Sequence, residues 1–143
     1  MIALLDVNVL IALVDPDHVH HAPAKAFFAS TGRDGWATCP LTENGFLRII
    51  GRRSYLQGPG SPQAARTLLA NYLAAPGHQF WPDDLSLADA RAFPALPGPQ
   101  SLTDFYLLAL AVKHRARFAT FEGRIDPALI PGGSAACFII PPA

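Results

Sequence analysis

Ile2-Ala3-Leu4-Leu5-Asp6-Val7-Asn8-Val9-Leu10-Ile11-Ala12-Leu13 opens the chain and decides how the rest of it is read. Ile2 to Leu5 is a short, unbroken apolar run, the pattern of a strand covered on both faces rather than half solvated. The run ends at Asp6. Asn8 then reads as a helix N-cap, because its side-chain oxygen can accept from the free N–H groups of a helix that Val9 to Val14 would form. Strand, carboxylate, cap and helix in that order set Asp6 at the carboxyl end of a central strand, where open parallel α/β sheets bind their ligands. By itself Asp6 could as well do no more than end the strand and cap the turn.

Outward from that stretch, short apolar runs alternate with helical patterns. Strands are expected at Trp36 to Cys39, Gln79 to Trp81, Arg117 to Thr120 and Ala136 to Ile140. Helices are expected from about Val19 to Ser30, from Pro40 to Ile50, from Ser61-Pro62 to about Ala74, from Leu85 to Phe93 and from Ser101 to Arg115. Pro40 suits a first helical position, and Gly51 a stop. Turns are expected at Thr31-Gly32-Arg33-Asp34-Gly35 and Pro82-Asp83-Asp84, and Pro94 to Pro99 is too rich in proline for anything but a loop. Strands alternating with helices imply a mainly parallel five-stranded sheet with helices on both faces, a three-layer α/β/α fold.

At 143 residues the chain is the size of one domain, and half of its residues are hydrophobic against 15% charged, which argues for a packed core and against disorder. The formal net charge is zero, so no global basic field draws in nucleic acid, and RNA or DNA would have to be held by a local patch. Cys39 and Cys137 lie far apart without metal-ligand spacing and read as reduced thiols of a cytoplasmic protein. The amino terminus lacks the basic region of a signal peptide, and no apolar stretch is long enough to span a membrane.

The carboxylates carry the chemistry. Glu43 and Glu122 are the only two glutamates. On the helix after Pro40, Glu43 shares a face with Phe46, Leu47 and Ile50; on the helix after Ser101, Asp104 shares one with Leu107, Leu108 and Ala111. An acid on an apolar stripe is costly unless it is paired or bound to a metal, although a first-turn position such as that of Asp104 is also eased by the helix dipole. Two such acids near helix starts fall together at one edge of the sheet, beside Asp6. Glu122 follows the strand ending at Thr120, as Asp6 follows Leu5. Four clustered carboxylates repel one another unless a cation sits among them, and hard oxygen donors without His or Cys point to Mg²⁺ or Mn²⁺. Ions held in that way serve phosphoryl chemistry.

Leu4-Leu5-Asp6-Val7-Asn8-Val9-Leu10-Ile11-Ala12-Leu13, Leu41-Thr42-Glu43-Asn44-Gly45-Phe46-Leu47-Arg48, Leu102-Thr103-Asp104-Phe105-Tyr106-Leu107-Leu108-Ala109 and Ala119-Thr120-Phe121-Glu122 together resemble the four motifs of PIN-domain ribonucleases, and most of all the VapC-type toxins of bacterial toxin–antitoxin pairs. The resemblance runs from about Ile2 to Ile140, in order and in register. It implies a single PIN-like domain over residues 1–143, with a catalytic set of Asp6, Glu43, Asp104 and Glu122. Asp6, Glu43 and Asp104 match the family's metal-binding acids. Asn8, Thr103 and Thr120 match its small polar supporting positions. The family usually has Asp at the fourth acid, and the longer stem of Glu122 bears on a second metal site. The implied activity is Mg²⁺- or Mn²⁺-dependent endonucleolytic cleavage of RNA (tRNA, rRNA or mRNA) by metal-activated water. The implied partners are a second copy in a homodimer and a cognate VapB-type antitoxin whose C-terminal segment lies across the site.

Arg48, Arg52, Arg53 and Arg124 are candidate RNA phosphate contacts, while Lys113 and Arg115 read as ordinary cations near a helix C-terminus. His18, His20 and His21 resemble a metal cluster but find no matching Cys or His pair elsewhere, so they read as a solvated start to the second helix, with a grip on RNA as the lesser alternative. Tyr106 could stack on a base. A receiver-like phosphorylation domain would need an acidic pair near the first strand and a late lysine, and the sequence has neither. A catalytically inactive PIN-like module that only binds RNA or protein is the remaining alternative.

Overall fold

The opening apolar run becomes β1 (Ala3–Leu5), the middle strand of a sheet of five, in a computed structural model that describes residues 1–31 and 34–142. The others are β2 (Trp36–Thr38), β3 (His78–Phe80), β4 (Arg117–Thr120) and β5 (Cys137–Ile139), in the order β3-β2-β1-β4-β5 with every pair parallel. Successive residues of a strand point to opposite faces. Ala3 and Leu5 accordingly join Trp36 and Ala119 in one apolar cluster, while Leu4 joins Ala37 and Phe118 in the other.

Four helices, α1 (Val7–Val14), α2 (His21–Thr31), α3 (Pro40–Ile50) and α4 (Pro62–Leu73), bury Leu10, Phe27, Phe46, Ile50 and Leu69 on the first face. The second face is covered by α5 (Leu102–Lys113), buried continuously from Phe105 to Ala111, with the short α6 (Gly133–Ala136) beside it. The result is the expected three-layer α/β/α fold. The chain lays down β1, β2 and β3 toward one edge, then returns to place β4 and β5 on the other side of β1. That reversal makes the carboxyl ends of β1 and β4 the topological switch point, the crevice where such sheets bind ligands.

Several local expectations need correction. Asn8 is not the N-cap of α1. The helix begins at Val7, and Asp6, extended at φ −61° and ψ 154°, caps it by accepting from the Val7 N–H at 2.7 Å. Its carbonyl meanwhile takes the N–H groups of Val9 and Leu10. A carboxylate one residue past the strand reaches the first free donor sooner than Asn8 can, so Asn8 becomes an exposed residue inside the first turn. Leu85 to Phe93 is not a helix but a run of turns. Ser86 Oγ accepts from the Ala88 N–H and Asp89 Oδ1 from that of Arg91, and such local bonds compete with a helical ladder. Leu85, Leu87 and Phe93 instead pack against the α5 face. The turn expected over 31–35 contains Gly32 and Arg33, which lie outside the described residues. Short 3₁₀ turns at Pro99–Ser101 and Pro127–Leu129, and α6 itself, were not legible as elements. Both cysteines are free, and among the described residues no helix is long and apolar enough to cross a membrane.

Candidate active site

Asp6 stands where β1 ends, and its surroundings are built from the neighbouring strand. Its N–H donates to the Ala119 carbonyl at 3.0 Å, and the Thr120 hydroxyl donates to its Oδ2 at 2.8 Å. The Glu122 N–H donates in turn to Thr120 Oγ1 at 3.3 Å, so one threonine ties the first acid to the turn that carries the last. Only 4% of Asp6 is exposed. Burial, then repulsion from Asp104 and more weakly from Glu122, pushes its carboxyl up to about 7, against the pull of the Thr120 and Val7 hydrogen bonds. Asp104, half-buried in the first turn of α5, is likewise raised by burial and by Glu122, with Arg124 opposing. Asp6, Asp104 and Glu122 therefore share one electrostatic neighbourhood at the switch point.

Glu43 occupies the first turn of α3, over the end of β2. Its Oε2 accepts from the Thr38 hydroxyl at 2.8 Å, and the same hydroxyl lies 2.8 Å from His78 Nε2. Thr38 has one proton to give, and the carboxylate takes it. His78 must then donate to the threonine oxygen, which fixes its proton on Nε2. Burial lowers the pKa of His78, with Glu43 opposing, and so favours that neutral ring. The Glu43 carboxylate is thus held on the β2 side of the crevice. Among the described residues, no three His, Cys, Asp or Glu side chains are gathered closely enough to hold one ion as they stand. The donor set nevertheless suits a hard divalent cation. It is all carboxylate and hydroxyl oxygen, its central acid is buried and repelled by its neighbours, and the cation in direct contact with it is Arg124, whose Nε lies 3.0 Å from Glu122 Oε2.

α3 reaches this position through a close approach. A β-carbon on Gly45 would lie 2.7 Å from Val7 Cγ2, so glycine lets α3 cross close over the first turn of α1, the turn that Asp6 caps. The start of α3 is held by Asp83 Oδ2, which accepts from the Leu41 N–H at 2.9 Å. Between this end of α3 and the start of α5 lies a cavity of about 310 Å³, lined by Leu41, Asp83, Leu87, Leu102, Thr103 and Tyr106.

The other candidates divide. Thr120 contacts Asp6 directly, whereas Asn8 and Thr103 are exposed and make no side-chain hydrogen bond to the acids among the described residues. Arg48 is exposed on α3; Arg52 and Arg53 lie beyond its end at Ile50, which is itself roughly 10 Å along the axis from Glu43 at 1.5 Å per residue. Lys113 pairs with Asp84 at 2.8 Å, and the Arg117 guanidinium lies 5.1 and 4.6 Å from the rings of Phe27 and Phe138, which stack on each other, so both have structural partners. His21 bonds the Ala12 carbonyl and His20 stacks on Phe121, in keeping with a solvated start to α2 rather than a metal cluster. Thr38, Gly45 and His78 were missed. A hydroxyl at a strand end, as at Thr120, and a lone glycine inside a helical pattern were signals for the first two; nothing local marks His78.

A PIN domain family model matches residues 3–127. Ribonuclease VapC44 of Mycobacterium tuberculosis is 43% identical over 136 residues, covering 94% of this chain and 95% of that protein. Ribonuclease VapC39 of the same organism is 44% identical over 127 residues, covering 87% and 91%. Among solved structures, M. tuberculosis VapC20, described as a sarcin–ricin loop cleaving toxin, superposes with a TM-score of 0.63 over 99% of both chains at 18% identity, a likeness of fold. Rickettsia felis VapBC2 bound to promoter DNA gives 0.57 at 10% identity, covering 85% of this chain and 89% of that one. With its five-stranded parallel sheet, its acids at the β1/β4 crevice and relatives of this similarity along nearly its whole length, the chain belongs to the PIN-domain family, and within it to the VapC-type ribonuclease toxins of toxin–antitoxin pairs.

Proposed function

We propose that this chain, acting as a single PIN-like domain, is a Mg²⁺-dependent endoribonuclease, with Mn²⁺ as a substitute, and that Asp6, Glu43 and Asp104 hold the cation. The observation that carries the proposal is Asp6: a buried carboxylate at the switch point, its proton affinity raised to about 7 by burial and by Asp104 and Glu122, is a site short of positive charge. A divalent cation bound there supplies the Lewis acidity that makes water a nucleophile and offsets charge on the phosphate oxygens. Thr120 fixes the rotamer of Asp6, and Thr38 with His78 fixes that of Glu43. Glu122, whose partner Arg124 is largely exposed, takes a second ion or orients water once that arginine turns to a phosphate. Asn8 and Thr103, open to solvent, contact water or substrate rather than the acids. Arg48 and Arg124 serve the phosphates nearest the cut, and Arg52 and Arg53 more distant ones. Homodimer assembly, inhibition by a VapB-type antitoxin and a cytoplasmic location belong to the same reading; the VapC relatives and a fold shared with VapBC2 support it.

The test is cleavage of a pool of tRNA, rRNA and single-stranded oligonucleotides with Mg²⁺, with Mn²⁺ and with chelator, with Asp104→Asn as the control. Metal-dependent cuts lost in the variant are expected. Absence of cutting with either ion, alongside retained RNA binding, would leave an inactive PIN-like module.

A further inference from the structure

The His20 ring lies 4.5 Å from that of Phe121, with 19° between their planes. Phe121 stands between Thr120, which donates to Asp6, and Glu122, so this pair of rings is joined through the chain to two positions of the acid cluster. Phe121 is half-buried and packs against the α1 side of the core, whereas His20 is exposed. The backbone of His20 is held at both ends: its N–H donates to His18 Nδ1 at 3.0 Å, and its carbonyl accepts from the Ala24 N–H at 3.0 Å. Among the described residues the His20 ring itself makes no hydrogen bond. An exposed ring, held through its backbone, backed by Phe121 and with the His18 ring 5.7 Å away at 42°, adds little to the core. It has the form of a platform.

Arg124, 73% exposed, pairs with Glu122, the residue that follows Phe121 in the chain. A flat π-face and an exposed guanidinium, paired here with Glu122, match the alternation of base and phosphate in a single nucleic acid strand, where bases stack on aromatic or histidine rings.

We propose that the outer face of His20, backed by Phe121, stacks on a base of single-stranded RNA next to the phosphate held at the acids. The proposal rests on the ribonuclease reading and adds a subsite to it. Because every base has a π-face, the platform selects for an unpaired strand rather than for a particular base.

The experiment measures kcat and KM of the full chain with Mg²⁺ on a short single-stranded RNA that it cuts, for the parent, His20→Ala, His20→Phe and His20→Gln. It also uses the same RNA carrying an abasic nucleotide beside the cut. Loss of stacking in His20→Ala should raise KM roughly ten- to a hundredfold with kcat little changed, while His20→Phe stays close to the parent. The abasic RNA should weaken the parent in the same way and His20→Ala no further. Three results would overturn the platform while leaving the nuclease intact. One is a His20→Ala protein that cuts as well as the parent. Another is a His20→Phe protein as poor as His20→Ala while His20→Gln is active, which would assign the role to the ring nitrogens. The third is a His20→Ala protein that cuts normally but escapes inhibition by a VapB-type segment, which would give the surface to the protein partner. Absence of metal-dependent cutting by the parent would remove the ribonuclease reading, and the platform with it.

Discussion

Asp6 accepts from the Val7 N–H with one oxygen and from the Thr120 hydroxyl with the other, so the same carboxylate starts a helix and faces Asp104 and Glu122. Its carboxyl is raised from 3.8 to about 7 in the folded chain. Between those values the native state keeps a proton that the unfolded chain has lost. Without metal, stability therefore falls as the pH rises from about 4 to 7, and the deficit is complete above 7. Asp6→Asn keeps the cap but cannot ionise. In chelator it should match the parent near pH 4 and exceed it by a few kcal/mol at pH 8; equal thermal midpoints for the two at every pH would contradict the assignment. Thr38 makes a second residue-scale case. Thr38→Val removes the donor to Glu43, the only one among the described residues, and leaves the Nε2–H of His78 without an acceptor. Activity should fall on the order of tenfold through a loosened acid, at a cost of about 1 kcal/mol in stability. A Thr38→Ser protein should recover the activity, and if it does not, the hydroxyl is not what positions Glu43. The acids were legible because a carboxylate on an apolar stripe breaks a local rule. Thr38 and His78 were not, because their link spans forty residues and exists only once β2 and β3 pair.

α3 and α5 deliver Glu43 and Asp104, and both were legible in the sequence. Pro40 and Gly51 bracket α3, and an apolar run from Phe105 to Val112 marks α5. The crossing of α3 over α1 was not legible, although its cause is one glycine. Adding a methyl group at position 45 forces the first turn of α1 away from α3, and Asp6 caps that turn. Gly45→Ala should cost about 1–3 kcal/mol and reduce activity by more than that loss of stability alone explains. Removing the opposing bulk in Val7→Ala/Gly45→Ala should restore much of both. Thermal unfolding and kcat of the single and double variants, compared as a cycle, check this; additive losses would mean that the two residues do not share the crossing. Leu85 to Phe93 shows the opposite failure. Its apolar spacing resembled a helix, but Ser86 and Asp89 turn the backbone back on itself first.

Across the whole molecule, the order of the strands does more for the site than any one motif. Each acid lies just past a strand end or in the first turn of a helix, and the reversal of strand order beside β1 brings Asp6, Asp104 and Glu122 into one neighbourhood. A formal net charge of zero leaves any attraction for RNA to local groups, a part that the proposed cation and arginines would fill. The most direct measurement of the central claim is therefore cation binding itself: titration of the full chain with Mn²⁺ near neutral pH, followed by the electron paramagnetic resonance of the free ion, for the parent, Asp6→Asn and Asp104→Asn. Binding by the parent should be saturable, displaced by Mg²⁺ and weakened by at least about an order of magnitude in both variants. Equal binding by all three proteins would place the ion elsewhere and contradict that claim.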